Sequence, residues 1–400
     1  MKTKSGVLLT RTGFLFDVQT ALKSHILGHD KLATADRILR NCVHCGFCIA
    51  ACPTYQVLGN ELDSPRGRIY LIKNILEGGE VSLQTKKHLD RCLMCRGCET
   101  ICPSGVEYYE LLKLGKDVVS SHLALPLTTK IKQYLLRKFL TSGIIFNFMA
   151  KVRKLKSNVI SSNNPQEDKV LLMGVCVQNA LAPNINGATL KILQKLQLNV
   201  TVEENTCCGA IDFHLEGKND ALKKIKTNIK NWYQALQEDT GLIISNASGC
   251  GAMIKDYPKI VQNDPEVYAQ ASFVASRTLD IAEYLATKDL SIFKSERSGR
   301  IAYHSPCTMQ HWQKINKVVE KILADLGFKL VEVADSNLCC GAAGTYAIMQ
   351  PKIANKLKQQ KLKNLTAGEP EEIVSANIGC ILHLKSSSAV KVRHWVELLC

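Results

Sequence analysis

Two short cysteine runs constrain this 400-residue chain more than any other feature of its sequence. Each run has the spacing Cys-x2-Cys-x2-Cys-x3-Cys-Pro, and the second repeats the first at a constant offset of 50 residues. The runs contain Cys42, Cys45, Cys48 and Cys52 before Pro53, and Cys92, Cys95, Cys98 and Cys102 before Pro103. Three closely spaced thiolates of one loop can bind three irons of a cubane, while the fourth cysteine turns to a neighbouring cluster. The spacing therefore predicts two [4Fe–4S] clusters.

The ligands are assigned crosswise, as this spacing requires in two-cluster ferredoxins. One cluster takes Cys42, Cys45, Cys48 and Cys102, and the other takes Cys92, Cys95, Cys98 and Cys52. A pair of zinc sites is the main alternative, but tetrahedral zinc sites commonly use CxxC pairs set apart in sequence and give no reason for two such runs. Disulfides are disfavoured, because the N-terminus is not a convincing secretory signal and this spacing in a cytosolic chain indicates metal.

Composition is that of an ordinary globular protein, and reduced thiols without an export signal predict a cytoplasmic location. Hydrophobic residues make up 46% of the chain, and no run of eighteen apolar residues predicts a transmembrane helix. The formal net charge is +15, of which two oxidised clusters remove about four units. The remaining basic charge favours a solvated face, or attraction to an anionic partner or membrane surface. Nucleic-acid binding is disfavoured, because the sequence contains no recognition motif for it.

The segments around the two runs predict helices rather than strands. Apolar residues at helical spacing indicate a helix over residues 18–41, and a second helix is predicted from Ile69 to Leu76. Ser82 is a plausible N-cap for a third helix that runs to Arg91. We expect an N-terminal extension and helix over residues 1–34, followed by an α-helical ferredoxin domain over residues 35–125. Three arginines near the loops could moderate the charge of the clusters: Arg66, Arg91 and Arg96.

Residues 126–168 are predicted to form a basic helical linker. Between Lys113 and Lys156, ten lysines and arginines stand against the single acid Asp117. One interpretation is an interfacial contact with a membrane. We favour a linker that packs on its own protein, because basic amphipathic stretches are commonly solvated faces.

A second internal repeat, of about 130 residues, follows from residue 169 to residue 400. Its copies, residues 169–298 and 299–400, are predicted to be two Cys-Cys-Gly domains. Strands alternate with helices in both, which predicts parallel α/β sheets with the cysteines at the carboxyl ends of strands. A strand is expected over residues 330–333, and a helix directly after each Cys-Cys-Gly. The repeated cysteines are Cys176, Cys207, Cys208 and Cys250 in the first copy, and Cys307, Cys339, Cys340 and Cys380 in the second.

Two interpretations of these eight cysteines stay open. They could hold a further iron–sulfur centre, helped by a helix N-terminus that favours thiolate over thiol. They could also be small buried hydrophobic residues. His304 and His311 flank Cys307, and a hydrogen-bonded structural role is favoured for both over a ligand role. Cys400 is left over and is taken as incidental.

Together these motifs resemble the iron–sulfur subunits of bacterial glycolate oxidases, also called glycolate dehydrogenases. The resemblance covers roughly residues 35 to 400 and rests on residues 42–48, 63–73, 102–106, 184–186, 339–341 and 376–380. It implies a multidomain α+β protein that combines the helical two-cluster module, the helical linker and the duplicated α/β cysteine-rich domain. It further implies an electron-transfer subunit that has no flavin and no catalytic residue and is inactive alone. Electrons would come from FAD-bearing partner subunits that oxidise glycolate to glyoxylate, and would pass to a respiratory acceptor.

The resemblance also leaves alternatives open. Similar arrangements occur in the iron–sulfur subunits of other flavin-linked dehydrogenases, acting on lactate or glycerol-3-phosphate, and in heterodisulfide-reductase-like proteins. In the last group each Cys-Cys-Gly domain ends in CxxC, whereas here Ala247 and Asn377 replace the first cysteine of that pair. This departure weakens the case for a third cluster and for disulfide chemistry. The implied location is the cytoplasm, with peripheral contact at the cytoplasmic face of the inner membrane.

Overall fold

The computed structural model describes residues 19–124, 126–141, 169–238, 241–294 and 299–400. The N-terminal extension up to residue 18 and the part of the predicted linker from residue 142 to 168 lie outside the described residues. The chain divides into two compact units, one ending at Ala124 and one beginning at Leu125.

The first unit is helical throughout its described residues, as its sequence predicts. Its helices are α1 (His29–Arg40), α2 (Phe47–Ala50), α3 (Pro53–Leu58), α4 (Pro65–Leu76), α5 (Leu83–Asp90), α6 (Gly97–Thr100) and α7 (Tyr108–His122), with a 3-10 turn at Glu61–Asp63. The short helices α2 and α6 begin inside the two cysteine loops.

The helix boundaries follow from local capping. Ser82 accepts a hydrogen bond from the backbone N–H of Thr85 and caps α5, which confirms the predicted start of that helix. Ser64 caps α4 in the same way, with Pro65 in the first turn, where its missing N–H costs nothing. The helix predicted over residues 18–41 is wrong in its first part. It begins only at His29, after Gly28, because glycine favours helix termini over helix interiors.

Helices α4 and α7 pack closely at Gly115. A Cβ atom at this glycine would lie 2.6 Å from Cγ1 of Ile72. The close approach of the two helices therefore depends on the missing side chain. The core around this contact is aliphatic and fully buried: Ile38, Leu39, Ile69, Ile72, Ile75, Leu76, Leu89, Leu111 and Leu112.

The second unit contains two four-stranded sheets. The first comprises β1 (Lys169–Val175), β2 (Asn199–Thr206), β3 (Leu242–Ser245) and β4 (Thr278–Asp280), and the second comprises β5 (Arg300–His304), β6 (Lys329–Leu330), β7 (Glu372–Ser375) and β8 (Lys391–His394). The strand orders are β2-β1-β3-β4 and β6-β5-β7-β8, and all neighbouring strands are parallel. The equal orders confirm the predicted duplication of a parallel α/β unit.

Helices surround both sheets. They are α8 (Leu127–Thr141), α9 (Cys176–Leu181), α10 (Pro183–Lys195), α11 (Ala210–His214), α12 (Lys218–Glu238), α13 (Ser248–Lys255), α14 (Tyr257–Ile260), α15 (Pro265–Ser276), α16 (Ile281–Leu285), α17 (Val318–Asp325), α18 (Tyr346–Met349), α19 (Pro351–Thr366) and α20 (Ile378–Lys385). One hydrophobic core runs through both sheets, since Leu172 and Ile244 of the first belong to the same buried cluster as Ala302 and Val374 of the second. The two copies are therefore halves of one packed unit.

Two predicted elements of the second half differ from the structure. The strand expected over residues 330–333 ends at Leu330, although the N–H of Val331 still donates to the carbonyl of Ile301. The helix expected directly after the second Cys-Cys-Gly begins only at Tyr346. In the first half, helix α11 does begin directly after Gly209.

Helix α8 is the described part of the predicted basic linker. Its Arg137 forms an ion pair with Asp220 at 3.6 Å, and its Lys132 donates to the carbonyl of Ile348 at 3.3 Å. These contacts hold α8 against its own unit. Among the described helices, none is both long enough and apolar enough to cross a membrane.

Candidate metal centres

The two cysteine loops share one backbone conformation. His44 and Gly46 of the first loop have φ angles of 53° and 86°, and Met94 and Arg96, 50 residues later, have φ angles of 53° and 60°. Left-handed residues at alternate positions curl each loop and turn its backbone N–H groups inward, which makes a concave site for an anion. Glycine reaches this conformation freely. Arg96 is instead held there with its guanidinium 4.2 Å from the centre of the Tyr109 ring.

The structure brings the eight cysteines of the loops together around two cavities. One cavity, of about 440 Å³ including its open mouth, is lined by Cys42, Cys45, Cys48, Cys98 and Cys102. A second cavity, of about 370 Å³, is lined by Cys52, Cys92, Cys95 and Cys98. Cys98 and Tyr108 line both cavities, so the two sites adjoin.

The donor chemistry of these cavities fits iron–sulfur clusters. Burial raises the pKa of the Cys48 thiol to about 11 and that of Cys98 well above its usual range. Such thiols would stay protonated without a partner, whereas a bound metal deprotonates them. Backbone N–H groups also point at the sulfurs: that of Met94 lies 3.4 Å from Cys92 Sγ, and that of Val106 lies 3.5 Å from Cys102 Sγ.

The second cavity has a buried arginine against its wall. The Arg68 side chain is 1% exposed, and its guanidinium donates to the carbonyl of His88 at 2.7 Å and to Thr54 Oγ1 at 3.1 Å. One of its nitrogens lies 4.0 Å from Cys52 Sγ. Burial alone would lower the pKa of Arg68, but the charges of Tyr108, Cys92, Cys52 and Asp63 raise it. A positive charge therefore stands beside this cavity.

Sequence reasoning missed Arg68 and Tyr108. It singled out Arg66, Arg91 and Arg96, of which Arg91 donates to the buried carboxylate of Asp63 at 2.8 Å and Arg66 to Glu61 at 2.8 Å. The Tyr108 hydroxyl donates to Cys92 Sγ at 3.6 Å. No local pattern marks either missed residue, because each meets its cysteine across 16 residues of chain.

The cysteines of the second unit form matching pairs in the two halves. In the first half the thiol of Cys176 is hydrogen-bonded to Cys207, and Cys208 Sγ lies 3.4 Å from Cys250 Sγ. In the second half Cys307 Sγ lies 4.0 Å from Cys339 Sγ, and Cys340 contacts Cys380. Each half thus gathers its four thiols beyond the carboxyl ends of its strands, and such a donor set fits an iron–sulfur or other metal centre.

The thiols of the first half have unequal acidities. The hydrogen bond from Cys176 lowers the pKa of Cys207 to about 7, against the effect of burial and with help from the charge of Lys224. The same hydrogen bond raises the pKa of Cys176, and burial raises it further. Cys207 is therefore the more acidic thiol of this pair.

Ala247 and Asn377, which stand where a CxxC pair would have its first cysteine, have structural contacts. Asn377 Oδ1 accepts a hydrogen bond from the N–H of Gly379 at 2.8 Å and caps α20. Its amide nitrogen lies 3.1 Å from Ser248 Oγ of the first half. Ala247 precedes α13 and is buried. The side chain that replaces the cysteine in the second half is thus a helix cap.

The two histidines beside Cys307 differ. His311 has the structural role predicted for it, because its Nε2 is hydrogen-bonded to the carbonyl of Asn337 at 3.0 Å. The same prediction is wrong for His304. Neither of its ring nitrogens has a hydrogen-bond partner, and it lies with Cys340 and Cys380 in a fully buried group.

Comparison with known families and proteins agrees with this geometry. Residues 38–106 match the family described as "4Fe-4S dicluster domain", and residues 170–255 and 301–385 each match the "Cysteine-rich domain". The first match confirms the two [4Fe–4S] clusters that the spacing predicts.

Curated relatives extend the match over almost the whole chain. The "Glycolate oxidase iron-sulfur subunit" of Escherichia coli (strain K12) is 42% identical over 96% of this chain and 98% of its own length. The "Probable glycolate oxidase iron-sulfur subunit" of Bacillus subtilis (strain 168) is 29% identical over 90% and 93%. "Lactate utilization protein A" of Exiguobacterium sp. (strain ATCC BAA-1283 / AT1b) is 25% identical over 58% of this chain and 96% of its own. The identity to the first relative shows that the chain belongs to the family of glycolate oxidase iron–sulfur subunits.

Proposed function

We propose that this chain transfers electrons within a glycolate-oxidising complex, from FAD-bearing partner subunits to a respiratory acceptor. The observation that carries the proposal is the pair of adjoining cavities that together are lined by all eight cysteines of the two loops and share Cys98 and Tyr108. Two neighbouring [4Fe–4S] clusters accept and release single electrons, which suits a donor that gives up two.

The chain's own residues hold and tune the clusters. We assign Cys42, Cys45, Cys48 and Cys102 to one cluster and Cys52, Cys92, Cys95 and Cys98 to the other. Hydrogen bonds and positive charge at the ligand sulfurs stabilise the reduced, more negative state of a cluster. At the second cavity, Arg68 supplies positive charge beside Cys52, and the Tyr108 hydroxyl supplies a hydrogen bond to Cys92.

The substrate and partners belong to the same proposal. The relatives' names describe glycolate oxidase subunits, which supports partner subunits that carry the flavin and the glycolate site. We expect the isolated chain not to oxidise glycolate. A complex reconstituted with its flavoprotein subunits should reduce the clusters when glycolate is added, whereas the chain alone should not. Glycolate turnover by the chain alone, or no cluster reduction in the complex, would contradict the assignment.

The ligand sets can be tested with paired variants. Anaerobically purified wild type should contain about eight irons and eight sulfides in its two clusters. Cys52→Ala should disturb the same paramagnetic signal as Cys95→Ala, and Cys102→Ala the same signal as Cys45→Ala. If Cys52→Ala and Cys45→Ala instead affect one signal, each loop keeps its own fourth ligand and the crosswise assignment is wrong.

Helix α8 supports a peripheral membrane contact at the cytoplasmic face. Leu127, Ile131, Leu135 and Phe139 recur every four residues and are all exposed, Leu127 to 72%. Apolar residues at this spacing share one face of a helix, and α8 also carries several lysines, as interfacial helices do. The full chain should float with phosphatidylglycerol vesicles, and Leu135→Glu should reduce flotation several-fold. Equal flotation of both would argue against this contact.

A further inference from the structure

The strongest unexplained feature of the second half is a buried histidine beside two cysteines. His304 ends strand β5, and its side chain is enclosed with those of Cys340 and Cys380. One nitrogen or sulfur ligand atom from each of the three residues lies within 4.8 Å of the others. Among the described residues, no other three histidine, cysteine or acidic side chains gather this closely.

The imidazole of His304 has unused bonding capacity. The residue is 2% exposed, and neither Nδ1 nor Nε2 has a hydrogen-bond partner. Buried polar groups in proteins are almost always paired, because they lose water without replacing it. A bond from one ring nitrogen to a metal would satisfy that nitrogen, whereas the buried thiols beside it are weak hydrogen-bond partners.

The spacing of the ligand atoms suits one metal ion rather than a cube. A tetrahedral zinc ion with Zn–S bonds of about 2.3 Å holds its sulfur ligands about 3.8 Å apart. Thiolates that bind different irons of a cubane lie farther apart, because an edge of the cube separates them. Consistent with this, the cysteines of the two ferredoxin loops do not form a group within 4.8 Å.

The charges around the group also favour an ion with three thiolates. The side chain of Cys339 contacts both Cys340 and Cys307, and its sulfur receives the N–H of Gly341 at 3.4 Å. Cys339 is not part of the group within 4.8 Å, so its sulfur would have to move closer to the other three to supply a fourth ligand. A divalent ion with three thiolates carries one net negative charge. The buried ammonium of Lys361 interacts electrostatically with Cys339, Cys340 and Cys380 and offsets it.

The geometry points to a mononuclear zinc site in the second half, with His304, Cys340, Cys380 and Cys339 as ligands. Mixed nitrogen and sulfur donors in a tetrahedral arrangement select zinc among the common divalent ions. Zinc has no redox chemistry, so this ion would tie the carboxyl end of β5 to the Cys-Cys-Gly loop and to α20 and would carry no electrons. The site is separate from the clusters of the proposed function.

The first half lacks the same donor set. At the repeat offset of 131 residues, His304 corresponds to Met173, which is fully buried near the carboxyl end of β1. A thioether is a weak ligand for zinc compared with imidazole. One zinc ion per chain is therefore expected, in the second half.

The test is metal analysis of the anaerobically purified full chain. Wild type should contain about one zinc beside the iron of its two clusters. His304→Ala should lose zinc at least five-fold and keep its iron and its paramagnetic signals. His304→Cys, which replaces one donor by another, should retain the zinc. His383→Gln is the matched control, because that imidazole lies in the same half and is hydrogen-bonded to the carbonyl of Ala354.

Zinc X-ray absorption of the wild type makes the test independent of how the variants fold. The expected first shell has three sulfurs and one nitrogen, with the outer-shell scattering of one imidazole. Zinc that persists in His304→Ala, a shell without imidazole, or a chain with extra iron and sulfide in place of zinc would each overturn the inference. Failure of the glycolate proposal would leave these readouts unchanged.

Discussion

Removing the hydroxyl of Tyr108 is the sharpest test of how the protein tunes its clusters. This hydroxyl is buried and donates to Cys92 Sγ at 3.6 Å, and Cys92 belongs to the set Cys52, Cys92, Cys95 and Cys98. Reduction adds one negative charge to the cluster, so the hydrogen bond stabilises the reduced state more than the oxidised state. Tyr108→Phe should therefore lower the reduction potential of this cluster.

The size of the shift follows from the strength of the hydrogen bond. A hydrogen bond to a charged acceptor contributes roughly 1.5–3 kcal/mol. Because the contact is long for an O–H donor, we take about 1 kcal/mol as the difference between the two redox states. For a one-electron couple this corresponds to about 40 mV. The phenylalanine ring fills the same space, so the packing against both cavities should be preserved.

The measurement is a redox titration followed by electron paramagnetic resonance on the anaerobic chain. One of the two potentials should fall by about 40 mV, and a Cys102→Ser variant identifies the signal of the other cluster, which should not move. Tyr70→Phe is the matched control, because Tyr70 lies on α4 with its side chain exposed. An unchanged potential, a rise, or an equal shift of both clusters would refute the reasoning.

Three further predictions concern stability, each measured by anaerobic chemical denaturation. Gly115→Ala should destabilise the first unit by about 1–3 kcal/mol, because its Cβ would meet Ile72 at 2.6 Å, whereas Gly187→Ala, with open space around it, should be neutral or slightly stabilising. Ser64→Ala should cost about 1 kcal/mol through loss of the α4 cap. Burial raises the pKa of Asp280 from 3.8 to about 7, so the stability that its proton contributes is complete below pH 3.8 and is lost as the pH rises through 7. Asp280→Asn should then be more stable than wild type by roughly 1–4 kcal/mol at pH 8 and by less at pH 5, and an equal difference at both pH values would contradict this.

The parts of the molecule that could be predicted from sequence are those in which a short-range rule determines the structure. The cysteine spacing indicates clusters because three thiolates of one short loop can bind three irons. The repeat offset in the second unit predicts two like sheets, because equal sequences of strands and helices fold alike. The helix cap at Ser82 was also predictable, because the hydrogen bond from the N–H of Thr85 to the Ser82 hydroxyl joins residues only three positions apart.

The parts that were not predictable depend on contacts between distant residues. Arg68 is an ordinary basic residue of α4 until the fold places the carbonyl of His88 and the sulfur of Cys52 beside it. The strand expected over residues 330–333 ends early, although Val331 keeps one bond to β5. The surroundings of His304 could not be predicted either. They depend on the pairing of strands β5 and β7, which join residues that are far apart in the sequence.

The duplication explains how the two halves can share a geometry and still differ in chemistry. The pairing of Cys176 with Cys207 and of Cys208 with Cys250 recurs at the equivalent positions of the second half, so the repeated backbone alone places the thiols. What differs is one residue near the carboxyl end of the first strand of each half, which is Met173 in the first half and His304 in the second. If the thiols were merely inherited hydrophobic residues, a methionine would suit both halves equally, because it packs without a polar atom to satisfy. An unpaired buried imidazole adds a desolvation cost of roughly 1–3 kcal/mol to the second half. A metal bond in that half offsets this cost, and the first half, which lacks the imidazole, has no such cost to offset.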